Sequence, residues 1–123
     1  MDDNVDAAIS VAQMLKNWGH EVQTSFNGPD AIEKARTYRP QVVLLDIGMP
    51  GMSGYEVAKQ LRAQHELEGV IITALTGYGQ AEDRSRSREA GFNHHLTKPP
   101  DPKILAALLE SPHTFADDTW RNN

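Results

Sequence analysis

The sequence predicts an α/β fold in which helices pack against a parallel β-sheet, and three observations support this class. Segments of strand length, at residues 42–45 and 70–75, alternate along the chain with segments whose apolar residues recur at helical spacing. The first strand segment is uninterrupted by polar residues and the second nearly so, which is typical of strands buried on both faces. Strands that alternate with helices favour right-handed crossovers, and therefore a parallel sheet.

The overall composition is that of one ordinary globular domain. The chain has 123 residues, of which 39% are hydrophobic and 24% charged, and its formal net charge of -5 does not suggest a nucleic-acid surface. No apolar run approaches the length of a membrane span, and the first residues show no secretory signal pattern. Cysteine is absent, which excludes disulfides and thiolate metal sites. We therefore expect a cytoplasmic protein that binds neither membrane nor nucleic acid.

The first half of the chain predicts two helices and two strands. Asn4 is a plausible helix N-cap, Gly19 a helix stop, and Pro40 ends the second helix. Between the two helices, a short segment alternates in part between apolar and polar residues, as a strand does. The predicted elements are a helix at residues 5–18, a strand at 21–26, a helix that starts in the turn at 27–30 and ends before Pro40, and a strand at 42–45 that ends on Asp46.

The second half predicts three helices and two strands. Ser53 and Glu56 have the spacing of a capping box, Gly91 closes a polar helix, and Asp101 caps the last helix. The predicted elements are a helix at residues 54–64, a strand at 70–75, a helix at 81–90, a strand at 92–97 and a final helix that ends at residues 111–112. Residues 1–110 are therefore expected to form one domain, followed by a polar tail at residues 111–123.

Polar residues follow three of the predicted strands. Asp46, Thr76 and Lys98 each stand where the chain leaves the sheet. The carboxyl ends of parallel strands lie along one edge, which is where open α/β sheets bind ligands. We therefore expect these three side chains to meet. The competing interpretation of Asp46 is a residue that only caps a loop, because Asp is common in turns.

The acidic residues at the start of the chain suggest what this edge binds. If Asp2 and Asp3 converge with Asp46, their carboxylates repel one another unless a cation lies between them, and an oxygen-only site suits Mg²⁺. Asp46 could then act as a nucleophile that forms an acyl phosphate, with Lys98 paired to a phosphate oxygen. Taken singly, the same residues could be a solvated terminus, a loop cap and a loop exit.

Taken together, residues 2–4, 46–54, 74–77 and 90–99 resemble the receiver domain of two-component response regulators. The resemblance covers residues 2 to about 110, and some details are similar to receiver modules attached to hybrid sensor kinases. It implies a flavodoxin-like, doubly wound parallel sheet in the strand order 2-1-3-4-5. It also implies that Asp46 receives a phosphoryl group from a phosphohistidine on a histidine kinase or a histidine phosphotransfer protein.

The resemblance also implies a role for each site residue. It assigns Mg²⁺ to Asp2, Asp3, Asp46 and the Gly48 carbonyl, and the phosphoryl group to Thr76, Gly77 and Lys98. It implies a cis peptide bond before Pro99. His95 stands at the position of the family's switch aromatic, so Thr76 and His95 form the implied switch. The alternative for His95 is an ordinary, half-exposed strand residue.

The chain departs from the family at its start, because only Met1 stands where receivers carry an apolar strand before the acid pair. Losing about five buried side chains forfeits on the order of 10 kcal/mol, against a typical domain stability of about 5–15 kcal/mol. We expect a longer native chain, a sheet closed over the gap, or a gap filled by the tail or by a second copy in a homo-oligomer. We also expect weak Mg²⁺ binding and poor phosphorylation, because the α-amino charge competes with the metal.

The sequence thus favours a phosphorelay module that assists only its own phosphorylation and is not an enzyme with an outside substrate. A phosphatase-type hydrolase is less favoured, because Ile47 and Gly48 follow Asp46 where that class uses an Asp-x-Asp pair. The second alternative is a phosphorylation-deficient, receiver-like protein-interaction domain.

Overall fold

Three parallel strands form the sheet of the computed structural model, which describes residues 1–48, 51–77 and 84–111. The strands are β1 (Val42–Asp46), β2 (Ile71–Thr76) and β3 (His94–Thr97), in the order β1-β2-β3. Asp46 pairs with Leu75, and Thr76 pairs with Thr97, so the three strands end close together. This part of the predicted parallel sheet is confirmed.

Four of the helices begin where the sequence predicts, because their caps are local signals. Asn4 accepts a hydrogen bond from the Ala7 N–H, and Asp101 accepts one from the Lys103 N–H. The helices are α1 (Val5–Asn17), α2 (Gly28–Tyr38), α3 (Gly54–Arg62), α4 (Arg84–Ala90) and α5 (Pro102–Glu110), with a 3-10 turn at His65–Leu67. Residues 81–83 of the predicted fourth helix and residues 112–123 of the predicted tail lie outside the described residues. No described helix is long and apolar enough to cross a membrane.

Helices pack on both faces of the sheet, as a doubly wound fold requires. On one face, residues of α2, α3 and α4 pack against inward side chains of β1 and β2 such as Leu45 and Ile72. On the other face, Leu15 of α1 and Leu105 of α5 pack against Leu75. Both strand faces are therefore buried, which explains the apolar composition of β1 and β2.

Arg62 connects the end of α3 to the beginning of β2 and β3. Its guanidinium donates to the carbonyls of Val70 (2.7 Å) and Gly91 (3.0 Å), and also contacts the Asn93 side chain. Burial lowers the pKa of Arg62. The side chain satisfies backbone acceptors that a loop buried at this end of the sheet would otherwise leave unpaired.

The predicted strand at residues 21–26 is wrong, because that segment contains no strand in the structure. A strand needs a hydrogen-bonded neighbour, and between this segment and β1 the chain supplies only residues 1–2. The Asp2 N–H donates to the Ser25 carbonyl (3.1 Å), while the Met1 carbonyl accepts from the Asp46 N–H (2.9 Å). The family order 2-1-3-4-5 has five strands. In the described residues β1, β2 and β3 correspond to the last three of them, and Met1 alone bonds to the free side of β1. Residues 21–26 do not pair directly with β1, so the sheet is not closed in the way that the sequence offered as one possibility.

Candidate functional site

The ends of the three strands bring Asp46, Thr76 and Lys98 to one edge of the sheet. The Lys98 N–H donates to the Thr76 carbonyl (2.7 Å), which fixes the residue that follows β3 beside the end of β2. The Lys98 Nζ lies 3.2 Å from Oδ2 of Asp46, across 52 residues of sequence. The expected contact between the side chains of Asp46 and Lys98 is therefore present, and the backbone of Thr76 lies beside Lys98.

The acid pair reaches the same edge through the backbone of residues 1–2. Oδ2 of Asp2 lies 3.0 Å from the Lys98 Nζ, and Oδ1 of Asp2 accepts from the Asn4 N–H (2.9 Å). Carboxylate oxygens of Asp2, Asp3 and Asp46 lie within 4.8 Å of one another; Asp2 and Asp46 are buried, and Asp3 is exposed. One lysine therefore contacts two buried acids, and a third acid borders them.

The buried position of these groups sets their electrostatics. Burial raises the pKa of Asp46, and the nearby Asp2 raises it further, while the Gly48 N–H and Lys98 act in the opposite direction. Burial lowers the pKa of Lys98, but its contacts with Asp2 and Asp46 outweigh this and leave the pKa raised. Lys98 thus stays protonated and balances one of the acids.

The donor set of this acidic cluster fits Mg²⁺. Three carboxylates against one ammonium leave two negative charges in a partly buried space, and all the side-chain donors are oxygens. Hard oxygen ligands with room for water are the environment that Mg²⁺ prefers. The Gly48 N–H donates to Oδ1 of Asp46 (3.0 Å), and the metal-binding role of its carbonyl stays a prediction.

The Met1 amino group changes the expected competition with a metal. Burial lowers its pKa to about 6, although Asp2 and Asp46 act to raise it, and the group donates a hydrogen bond to the Leu44 carbonyl. Near pH 7 the amino group is therefore mostly neutral. The competition for the acids that the sequence suggested is confined to lower pH.

Thr76 of β2 and His95 of β3 contact each other. Oγ1 of Thr76 is 2.8 Å from Nε2 of His95, and both side chains are buried. The alternative of a half-exposed His95 is wrong, since only 1% of this residue is accessible. Gly77 directly follows β2, and its predicted contact with phosphate stays a prediction. The peptide bond between Lys98 and Pro99 is cis, as the resemblance implied.

Gly54 supports the site, although its sequence context predicts only the start of a helix. A Cβ at this position would lie 2.6 Å from the Asp46 carbonyl oxygen and 2.6 Å from the Ile47 Cα. The first turn of α3 therefore rests directly on the backbone that carries Asp46. The sequence signal for this close approach is a glycine directly after the N-cap Ser53, at a position where a side chain is usually tolerated.

Comparisons with known proteins agree with this arrangement. Residues 1–110 match the family model described as the response regulator receiver domain. The chain is 33% identical over 111 residues to the protein PilH of Pseudomonas aeruginosa, covering 90% of this chain and 92% of PilH. An α/β fold with this acidic edge defines a signalling module of two-component systems, and the chain belongs to the response regulator receiver domain family.

Two solved structures show the same fold. The chemotaxis protein CheY4 of Vibrio cholerae aligns with a TM-score of 0.82 at 31% identity, over 89% of this chain and 91% of that one. The receiver domain of the sensor histidine kinase PA1611 from Pseudomonas aeruginosa aligns with a TM-score of 0.80 at 30% identity, over 89% and 90%. That structure has a magnesium ion coordinated in its active site cleft. Receiver domains bind Mg²⁺ in an acidic pocket and interact with histidine kinases, and this chain is a signal-transduction module of that kind.

Proposed function

We propose that this chain accepts a phosphoryl group on Asp46 from a phosphohistidine of a histidine kinase or a histidine phosphotransfer protein. The observation that carries the proposal is the Lys98 ammonium, which contacts the buried carboxylates of both Asp2 and Asp46 at the end of the sheet. A loop-capping aspartate has no need of a lysine brought to it from the end of a distant strand. Here the acid, the cation and the second acid form one cluster.

The transfer requires a nucleophile and positive charge near the phosphoryl oxygens. A carboxylate oxygen of Asp46 forms the new bond to phosphorus as the bond from phosphorus to the donor imidazole nitrogen breaks, and that nitrogen keeps the electron pair. Lys98 already lies beside Oδ2 of Asp46, so its ammonium can pair with an oxygen of the incoming group. Mg²⁺, held by Asp2, Asp3, Asp46 and the Gly48 carbonyl, would supply further charge neutralisation when bound.

Thr76 and His95 provide the proposed response to phosphorylation. The Thr76 hydroxyl now pairs with the buried His95 imidazole. A phosphoryl oxygen at Asp46 is a charged acceptor, which forms stronger hydrogen bonds than a neutral ring nitrogen. We expect the hydroxyl to leave His95 for the phosphoryl group, together with the Gly77 N–H. Release of the His95 imidazole would then change the surroundings of β3 according to whether Asp46 is phosphorylated.

Intact-mass spectrometry after incubation with MgCl₂ and a small acyl phosphate tests the transfer. The wild-type chain should gain one phosphoryl group, and Asp46→Asn should gain none. Asp101→Asn is the matched control, because Asp101 is an exposed helix cap that asparagine can replace. A wild-type chain that binds Mg²⁺ but never gains mass would contradict the proposal and favour a phosphorylation-deficient interaction module.

Histidine-selective NMR tests the switch separately. The ring signals of His95 should shift when the wild-type chain is phosphorylated. In Thr76→Ala, which can still be phosphorylated at Asp46, the same signals should stay in place. Equal shifts in both proteins would show that His95 responds to the phosphoryl group without the hydroxyl.

A further inference from the structure

The turn at residues 25–28, which leads into α2, is held by its own hydrogen bonds. Ser25 Oγ lies 3.0 Å from the Asn27 carbonyl oxygen and 2.9 Å from Oδ2 of Asp30. The Asn27 side chain accepts from the Asp30 N–H (2.9 Å), and both Ser25 and Gly28 are buried. Side-chain bonds of this kind fix the backbone of a turn, so residues 25–28 can hold whatever rests on them in place.

One end of this turn holds the acid pair, Asp2 and Asp3. The Ser25 carbonyl accepts from the Asp2 N–H (3.1 Å), and Oδ2 of Asp2 lies 3.0 Å from the Lys98 Nζ. The backbone of the turn therefore helps to set where the buried carboxylate of Asp2 stands in the site.

The other end of the turn carries the side chain of Met52, which belongs to the loop between Asp46 and α3. A Cβ at Gly28 would lie 2.7 Å from Sδ of Met52 and 3.0 Å from its Cβ and Cγ. The whole Met52 side chain, and not only its tip, therefore rests on the glycine backbone. Met52 is half-buried and also packs against the core between α2, α3 and the sheet. The missing side chain at position 28 is what allows the loop to lie on the turn.

The metal site needs such a connection, because its oxygen donors come from separate segments. The acid pair precedes α1, Asp46 ends β1, and Gly48 stands in the loop that Met52 holds. Mg²⁺ demands a nearly regular octahedron with ligands at about 2.0–2.1 Å. A small movement of the loop relative to the acid pair would therefore spoil the fit of the donors to the ion.

We propose that Met52 is a positioning residue of the metal site. By resting on Gly28, it holds the loop that carries Gly48 at a fixed distance from the acid pair. The inference rests on the proposed function, since it concerns the Mg²⁺ that assists phosphoryl transfer to Asp46. The Met52 side chain offers only a thioether, which is a poor ligand for Mg²⁺, so its contribution is made through packing and not through a bond to the metal.

Titration with MgCl₂, followed through the backbone amide NMR signals of Asp2 and Gly48, compares Met52→Ala with Met14→Ala. Met14 is the matched control, because it is also a half-buried methionine but packs against the other core cluster, toward the end of α1. Both variants should lose stability. Only Met52→Ala should raise the Kd for Mg²⁺, by at least about fivefold, since even groups bonded directly to a metal ligand typically contribute about 10–100-fold. Met52→Leu, which nearly keeps the volume, should stay within about twofold of the wild type.

Gly28→Ala tests the same contact from the side of the turn. The added methyl group would lie 2.7 Å from Sδ of Met52, so this variant should also weaken Mg²⁺ binding. In the double variant Gly28→Ala/Met52→Ala the methyl group has room. The double variant should therefore bind Mg²⁺ more tightly than the product of the two single losses predicts, which is the mark of a direct contact.

Unchanged Mg²⁺ affinity in Met52→Ala, or an equal loss in Met14→Ala, would overturn the inference. Intact mass at saturating MgCl₂ keeps this result apart from a failure of the proposed function, because Met52→Ala retains Asp46 and Lys98 and should still gain one phosphoryl group. Weakened Mg²⁺ binding in Met52→Ala alone would support the inference even if no form of the chain gained mass. A wild-type chain that binds no Mg²⁺ would overturn the inference together with the metal-assisted transfer.

Discussion

Blocking the Met1 amino group should remove a pH dependence of stability that this chain carries. The amino group is buried between β1 and the acidic cluster and donates to the Leu44 carbonyl. An acetyl group keeps one N–H for this bond and abolishes the titration. Comparing the free and the acetylated chain therefore isolates the proton that the amino group binds.

The expected magnitude follows from the pKa of the amino group, which burial lowers from 8.0 to about 6 in the folded chain. Between these values the unfolded chain binds more protons than the folded one, so the free energy of unfolding rises with pH. Two pKa units correspond to about 3 kcal/mol. The penalty is fully present below the folded pKa and is relieved above the unfolded value. The raised pKa of Asp46 acts with the opposite sign, but it is present in both proteins and cancels in their difference.

Urea unfolding of both proteins in EDTA, from about pH 5.5 to about pH 8.5, measures this difference. We expect the free chain to gain about 2–3 kcal/mol relative to the acetylated chain across this range, with equal urea dependence in both. Parallel pH profiles would refute the reasoning, because they would mean that the amino group titrates alike in the folded and unfolded states. A difference confined to pH above 8 would mean that folding raises the pKa of the amino group instead of lowering it.

Three further substitutions test other contacts. Lys98→Gln should lower the free energy of unfolding by about 1–3 kcal/mol in EDTA, because it leaves two buried carboxylates without their cation, and MgCl₂ should restore most of the loss in a thermal melt. Arg62→Met should cost about 3 kcal/mol in urea unfolding by removing hydrogen bonds to backbone carbonyls, whereas Arg36→Met, at an exposed ion pair, should cost less than about 0.5 kcal/mol. Gly54→Ala should destabilise by about 1–3 kcal/mol and reduce phosphoryl uptake, while Gly69→Ala, with open space around it, should leave both unchanged.

The sequence predicted those parts of the fold whose signals are local. The caps Asn4 and Asp101 hold their helices because each bonds to a backbone N–H within its own first turn. The strands β1 and β2 are apolar because both of their faces are covered. Their polar ends meet because parallel strands share an edge, so Asp46 and Lys98 could be brought together from strand order alone.

The segment at residues 21–26 shows where local reasoning fails. Its partial alternation fits a strand, but a strand forms only when a neighbour offers hydrogen bonds along its length, and here Asp2 offers one. The buried contact between Thr76 and His95 was also beyond the sequence, because it depends on how two strands align. Gly54 was missed for the same reason, since its close neighbour is the backbone of a different element.

The acidic edge depends on backbone contacts as well as on its side chains. The position of Asp2 is fixed by the bonds of residues 1–2 to Ser25, Leu44 and Asp46, all at the carboxyl end of the sheet. Asp2 in turn lies 3.0 Å from the Lys98 Nζ, so a change that breaks the backbone bonds of residues 1–2 would separate the two buried acids without altering either side chain. The chemistry of the site thus depends on backbone hydrogen bonds that none of its charged side chains supplies.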